Sequence, residues 1–409
     1  MHNCFHAADI LIPQGISMKK WACVACDQFS SQPEYWDRVS DFVGDAPSTL
    51  HMIIPEAYLR RDGAAERLPK IHGAMEQYLA QGLFKVCRRS FVYLERTMQS
   101  GAVRRGLVGQ VDLEDYDFTP GCGARIRATE GTVLERIPPR QRLLEGAKLE
   151  CPHVLLLCDD RKDAILTAAK EARSEKLYDF DLMEDGGHIT GWAVSGLGVG
   201  LVNGAVSDYI QAVTAEQGAA NAMAFAVGDG NHSLAAAKAC WEDLKKSLSG
   251  DDLLHHPARY ALVELENIHD PAIAFEPIHR VLSGVDPGDF LSALDGISVR
   301  DGYPIAAVTS EGEKTVYLSR EESPLAIAIL QPFLDRYTAE QGGAMDYIHG
   351  EDVVRDLARK PDAVGLILPG MEKSSLFPGV LQGGVLPRKT FSMGEAREKR
   401  YYLEGKRRQ

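Results

Sequence analysis

Ala222-Met223-Ala224-Phe225-Ala226-Val227-Gly228-Asp229-Gly230-Asn231-His232-Ser233-Leu234-Ala235-Ala236-Ala237-Lys238 decides how this chain is read. The residues to Val227 form an apolar run that ends at glycines, the pattern of a buried strand. Past the polar break, Leu234, Ala237, Trp241, Leu244 and Leu248 step by three and four, which is one helix face. Asn231 or Ser233 is placed to cap the helix start. The predicted unit is strand, glycine turn, helix.

Such a unit has a chemical use. The first N–H groups of a helix lack internal partners, and the dipole makes that end positive. Gly228 and Gly230 permit positive φ and a close approach of ligand to backbone. A phosphate or carboxylate fits there, held by Gly228, Gly230, Asn231 and Ser233. Asp229 offers a carboxylate for Mg²⁺ or for a proton. His232 offers a ring that donates to phosphate or moves a proton near neutral pH. The competing reading is a plain tight turn, with Asp229 and His232 bonding only the loop backbone.

The chain has 409 residues, enough for two domains or one large one, and 45% of them are hydrophobic, which supports a sizeable core. A net charge of −13 disfavours duplex nucleic acid as a partner. The eight cysteines are scattered rather than framed as in a small secreted scaffold. No basic leader precedes an apolar core at the N-terminus, and no apolar stretch approaches a membrane span. The expected setting is soluble, reducing and cytoplasmic. Neither a phosphate-binding P-loop, a dinucleotide fingerprint nor a serine-hydrolase elbow occurs.

In chain order, Ile10–Pro13 and Trp21–Asp27 read as short extended pieces. Cys23 and Cys26 have the spacing of a zinc pair, but no second such pair exists, so they read as buried strand cysteines. Ser31-Gln32-Pro33-Glu34 reads as a capping box with proline in the first turn. A helix follows to Gly44, and a second spans Ala64 to Gln81. Phe84–Met98 and Val103–Leu113, joined by Gln99-Ser100-Gly101, read as a hairpin. Its arginines, Arg88, Arg89, Arg96, Arg104 and Arg105, read as a solvated face.

Residues 124–148 crowd Arg125, Arg127, Glu130, Arg136, Arg140 and Arg142 into one stretch. Arginines in such numbers suit bidentate holding of phosphate or carboxylate, or else an exposed salt-bridge network. Val154–Cys158 and Tyr260–Leu265 read as strands, as does His188–Val194, with a helix near Asp208–Glu216. His279-Arg280 and Lys389, on a glycine-bounded loop, are further candidate anion contacts. The basic segment Arg397–Gln409 reads as a solvated tail.

At Trp21–Gln28, Gly106–Tyr116, Glu130-Gly131-Thr132 with Arg142, Gly228–His232, Pro277–Arg280 and Pro387–Phe391, the chain resembles an uncharacterised family, domain of unknown function 1015. The resemblance runs over nearly the whole length. The central motif also resembles the Asp-Gly-His-His-Arg signature that precedes an Ala-rich helix in the ParB/sulfiredoxin-like fold, free serine kinases included. That resemblance implies a nucleoside phosphate held at the turn and a glutamate base from the N-terminal part. Asp229, Gly230 and His232 match the signature. Asn231 stands for its first His and Ser233 for its Arg, which removes a cation but leaves neutral donors. No motif places the glutamate; Glu34 and Glu130 are the candidates.

The expectation is an α+β protein: a mixed sheet with flanking helices, a ParB/sulfiredoxin-like core and large additions. One family domain is expected over 1–409, with sub-regions 1–120, 121–285 and 286–409. The resemblance implies a nucleotide-dependent phosphotransferase for a small hydroxylated metabolite, using ATP or ADP and Mg²⁺ on Asp229. Asp229, His232 and Glu130 are its expected catalytic residues. Arg125, Arg136, Arg142, His279, Arg280 and Lys389 are its expected binding cations. The alternatives are a nucleotide-gated regulatory module of ParB-like type and an enzyme for a carboxylate metabolite.

Overall fold

A computed structural model describes residues 3–30, 32–59 and 64–409. The chain divides into two units, Met1–Ile273 with Glu395–Gln409, and Ala274–Gly394. Strands of the first unit are β1 (Phe5–His6), β2 (Ala8–Pro13), β3 (Phe84–Thr97), β4 (Val103–Asp112), β5 (Tyr116–Asp117) and β6 (Ile126–Ala128). They continue as β7 (Leu149–Glu150), β8 (Leu155–Cys158), β9 (Lys176–Asp181), β10 (His188–Val194), β11 (Phe225–Asp229) and β12 (Tyr260–Asn267).

The large sheet runs β5-β6-β11-β8-β12-β4-β3-β10-β9, with β1 on β4 and β2 on β3. It is mixed: β5/β6, β6/β11 and β8/β12 are parallel, and β11/β8 and β12/β4 are antiparallel. With flanking helices this is the α+β architecture expected. An interior strand is covered on both faces, and so Phe225, Ala226 and Val227 are all fully buried and read as one apolar run. The β3–β4 hairpin forms as predicted, with Thr97 opposite Val103.

The Asn231–Leu244 helix sets Leu234, Ala237 and Trp241 into the core beside Phe225, and Ala235 and Ala236 against Ile137 of the Ile137–Leu144 helix. Truncating the fully buried Trp241 to Ala would cost about 3–5 kcal/mol. The helix expected near 208–216 is longer, Leu197–Gln217, because glycines 198, 200 and 204 weaken the helical signal of its first half. On β12, Ala261, Val263 and Leu265 face this core, while Leu262 belongs to the core on the other face. The same alternation sends Glu264 and Glu266 to that second face, where both are buried.

The second unit holds β13 (Phe275–Pro277), β14 (His279–Ser283), β15 (Tyr303–Thr309), β16 (Gly312–Leu318), β17 (Ala344–Ile348), β18 (Ala363–Ile367) and β19 (Phe391–Met393). Its antiparallel sheet runs β16-β15-β18-β14-β17, and β13 pairs with β19.

The expected capping box rests on Ser31, which lies outside the described residues; the Pro33–Val43 helix has Gln32 at its N-cap. Two local expectations are corrected. The hairpin arginines are not all solvated: Arg96 and Arg104 are 2% and 3% exposed. The C-terminal segment is not a solvated tail. It returns to the first unit, bridges Val24 at Tyr401 and Leu11 at Gly405, and ends in β20 (Lys406–Arg407) paired with β7. Tyr401, Tyr402 and Leu403 anchor it in the core, and Arg400 and Arg408 meet the buried carboxylates of Glu264, Glu404 and Glu150. A basic segment reads as solvent-facing when its acidic partners lie far away in the chain. Among the described residues no helix is long and apolar enough to cross a membrane.

Candidate functional site

β11 ends at Asp229, and Gly230 turns the chain with φ 80° into the helix. A Cβ on Gly230 would stand 3.0 Å from the Val154 Cα, so the close packing here requires glycine as well as the left-handed backbone. Gly230 takes the N-cap position, so neither Asn231 nor Ser233 caps the helix, contrary to expectation. Asn231 is the first helical residue, and its Oδ1 accepts from the Thr129 N–H at 3.3 Å. Thr129 Oγ1 in turn donates to the Val227 carbonyl at 2.7 Å. These bonds tie the end of β6 to the turn and bring Glu130, the next residue, beside it. His232 Nε2 accepts from the Val133 N–H at 3.2 Å, which fixes the 130–133 loop.

Asp229 Oδ1 accepts from the Gly230 N–H at 2.8 Å. Its Oδ2 is buried, makes no hydrogen bond and lies 3.4 Å from Lys399 Nζ. Mg²⁺ normally takes one or two carboxylates and completes its shell with substrate phosphates and water. One carboxylate already facing an ammonium fits such an ion only if the ion arrives with phosphate. Among the described residues, no three His, Cys, Asp or Glu side chains are grouped to hold a metal by themselves.

A cavity of about 820 Å³, its open mouth included, reaches the first turn of the helix at Ser233. Met52, Ile53, Leu143, Leu149 and Leu262 make most of it apolar, and Arg140, Glu150, His153, Ser233 and Tyr402 are polar residues of its lining. This is the composition of a small-molecule site, apolar walls with few placed polar groups. Arg140 ion-pairs with Glu56. His153 Nε2 is 3.5 Å from Ser233 Oγ and 3.9 Å from Asp27 Oδ1. Burial pushes the Asp27 carboxyl up, but His153, the Gln28 amide, Arg140 and Lys399 together outweigh it and hold the carboxyl below its usual value. Asp27 is therefore an anion at neutral pH. Burial, then Asp27, pushes the neighbouring Cys26 thiol up to about 12, which leaves it protonated and poor as a nucleophile.

The proton on His153 follows from its partners. Nδ1 lies 2.8 Å from the Tyr402 hydroxyl, which accepts from the Cys26 N–H at 3.2 Å. Burial holds that phenol well above its ordinary pKa, so it keeps its proton. The imidazole nitrogen is a far better acceptor than the Cys26 sulfur, and the phenol donates to Nδ1. In the neutral form of the ring its own proton is then on Nε2, directed at Ser233 and Asp27; in the cationic form the ring is the charge that lowers Asp27.

The expected site residues are distributed as follows. Gly228, Asp229, Gly230, Asn231, His232, Ser233 and Glu130 are gathered at or beside the turn. Arg125 precedes β6, at the end of that strand opposite Thr129. Arg136 and Arg142 are exposed at either end of the Ile137–Leu144 helix, while Arg140 faces the cavity. His279, Arg280 and Lys389 belong to the second unit. There Arg280 is fully buried, donating to Gln331 Oε1 and to the carbonyls of Ile278, Arg388 and Lys389. His279 Nδ1 accepts from the Leu368 N–H. Glu34 opens the Pro33–Val43 helix beside Arg38, which pairs with Glu184. Sequence reasoning missed Asp27, Arg140, His153, Lys399 and Tyr402 as site residues. Asp27 stood inside a quoted motif, and Arg140 within the arginine block. For His153, Lys399 and Tyr402 no local pattern points to a site.

The family described as "Protein of unknown function (DUF1015)" matches residues 12–341. No curated protein matches the chain. Among solved structures, SbnI with a C-terminal truncation from Staphylococcus aureus is similar at 10% identity, over 70% of this chain and 82% of that one, with a TM-score of 0.38. A conserved hypothetical protein from Pyrococcus furiosus is similar at 12% identity, over 72% and 90%, with a TM-score of 0.34. A free serine kinase in complex with AMP is similar at 12% identity, over 72% and 90%, with a TM-score of 0.39. Likeness of that degree carries no functional argument.

Proposed function

The chain belongs to the DUF1015 family, whose description assigns no activity; we therefore propose from the site itself that the protein is a nucleotide-dependent phosphotransferase acting on a small hydroxylated metabolite. One observation carries the reading. The start of the Asn231–Leu244 helix, with glycine at its N-cap, meets at Ser233 a largely apolar cavity whose polar lining includes Arg140, Glu150, His153 and Tyr402. An apolar slot beside a row of helical N–H donors suits a nucleobase at one end and phosphates at the other.

In this reading the turn from Gly228 to Ser233 holds the phosphates of ATP or ADP, and Mg²⁺ comes with them to Asp229. The substrate hydroxyl oxygen attacks the terminal phosphorus, and the bond from phosphorus to the nucleotide's bridging oxygen breaks. The hydroxyl proton passes to Asp27, with Glu130 as the second carboxylate beside the turn. Arg140 and the Nε2–H of His153 offset charge that develops on the transferred group. Phosphoryl transfer asks mainly for such positioning and charge stabilisation. The ParB/sulfiredoxin-like character of the central turn is part of the same proposal.

Calorimetric titration with ATP, ADP and CTP, with and without Mg²⁺, tests it. The expected result is saturable binding of one nucleotide, lost in a folded Asp229→Ala variant. Binding of none of the three sinks the nucleotide reading and leaves a carboxylate metabolite as the class to screen.

A further inference from the structure

The C-terminal segment enters the first unit held by its backbone. Arg96 on β3 is buried, and its guanidinium donates to the carbonyls of Gly186, Arg397, Glu398 and Lys399. Arg104, its register partner on β4, donates to the Glu398 carbonyl at 3.0 Å and pairs with Glu266 at 2.8 Å. Beyond these anchors, Arg400 reaches Glu264 and Glu404. The residues between and next to these clamps point at the site: Lys399 Nζ at Asp229, and the Tyr402 hydroxyl at His153.

Burying an arginine against carbonyls, with no carboxylate of its own, is costly. What it achieves is a fixed backbone at residues 397–399. Lys399 is a side chain with high rotamer entropy, only 9% exposed, and is delivered to a carboxylate oxygen that makes no hydrogen bond. An ammonium in that place is a point charge within reach of anything bound at the turn.

We propose that Lys399–Tyr402 is part of the binding site, with Lys399 as the cation that takes a bound polyphosphate and Tyr402 as a positioning residue that holds the His153 ring in its Nε2–H form. This deepens the phosphate reading of the turn and rests on it. In the structure Lys399 neutralises Asp229. When polyphosphate arrives, the ammonium turns to the anion, and Asp229 is released for the accompanying Mg²⁺.

The test uses the full chain and inorganic pyrophosphate as probe, titrated by calorimetry without Mg²⁺. Wild type binds; Lys399→Met binds at least about tenfold more weakly, the loss of one charge-assisted contact, while Lys399→Arg stays within about threefold. Equal affinity in a folded Lys399→Met variant, or no binding to wild type, overturns the Lys399 assignment. If pyrophosphate binds through Lys399 but no nucleotide binds, only the nucleotide reading fails. For Tyr402, ¹⁵N NMR of the histidine side chains reads the tautomer directly. At a pH where the ring is neutral, His153 is expected as Nε2–H in wild type and as a mixture in Tyr402→Phe, with circular dichroism unchanged. A wild-type Nδ1–H ring, or no change in Tyr402→Phe, overturns that part.

Discussion

Arg96 and Arg104 stand opposite each other on the β3–β4 hairpin, and both guanidiniums donate to one carbonyl, that of Glu398. Two like charges are held together there by a backbone segment 294 residues from Arg104 and 302 from Arg96.

Replacing Arg96 by Met strands the carbonyls it serves and loosens the segment they belong to. A loss of about 3 kcal/mol or more is expected, several unsatisfied buried acceptors being left behind. The urea midpoint should fall, and residues after Glu395 should become open to protease. An unchanged midpoint with a protected C-terminus would show that the segment is held by its aromatic residues instead.

Gly106 has no room for a methyl group, since a Cβ would stand 2.2 Å from Glu264 Oε1. Gly106→Ala must push the Glu264 carboxylate off its place opposite Arg400, at a cost of about 1–3 kcal/mol. Thermal melting of Gly106→Ala, alone and combined with Glu264→Gln, checks the cause: the two effects should be less than additive.

Asp27→Asn keeps the shape of the site and removes its anion. Nucleotide binding should persist while turnover falls by roughly 10²–10⁴-fold, the range for a lost acid–base group. Because Asp27 is held below its ordinary value of 3.8, it is ionised throughout the neutral range and should impose no acid limb there on the pH–rate profile. Full turnover in Asp27→Asn would move the role to Glu130.

Cys26, pushed up to about 12, should resist iodoacetamide at pH 8 in the folded protein and react once it is unfolded. Mass spectrometry of the labelled peptides decides this. Rapid native-state labelling of Cys26 would mean that its half-buried thiol ionises readily beside Asp27 and Tyr402.

His188 lies between two carboxylates, Nδ1 at 2.7 Å from Asp181 and Nε2 at 2.7 Å from Asp179. Donation from both nitrogens requires the cationic ring. The hydrogen bond to Asp181 chiefly raises its pKa above the ordinary 6.5; burial opposes this, and Asp179 adds to it. The stabilisation is complete below pH 6.5 and is lost as pH rises through the folded value. An NMR titration should place His188 above 6.5 in wild type and lower in Asp181→Asn. The same midpoint in both proteins would refute the pairing.

The elements legible in the sequence were those whose signal is local. The run to Val227, the glycine turn, the helix face of Leu234, Ala237 and Trp241, and the β3–β4 hairpin each follow from periodicity and turn chemistry within one window. Side-chain environment was less legible. Arg96 and Arg104 look like any charged strand face until another segment covers them. The candidate site was legible only at its turn. Asp27, His153, Lys399 and Tyr402 come from four separate stretches, and a single sequence carries no signal of which distant residues the sheet will gather. Arg140 differs from Arg136 and Arg142 only by where the helix turns it.

The first unit is interrupted in the chain by the second, and the part of its sheet face that carries Arg96, Arg104 and Glu264 gains its last partners only when residues after Glu395 come back to it. A chain made from its N-terminus exposes β3, β4 and β12, with the charges of Arg96, Arg104, Glu264 and Glu266 uncovered, while the second unit is still being synthesised. Stripping these charges of water without their partners is costly, so they stay hydrated until the partners arrive. Full burial of these charges is thus deferred until the segment that brings Lys399 and Tyr402 to the turn has returned.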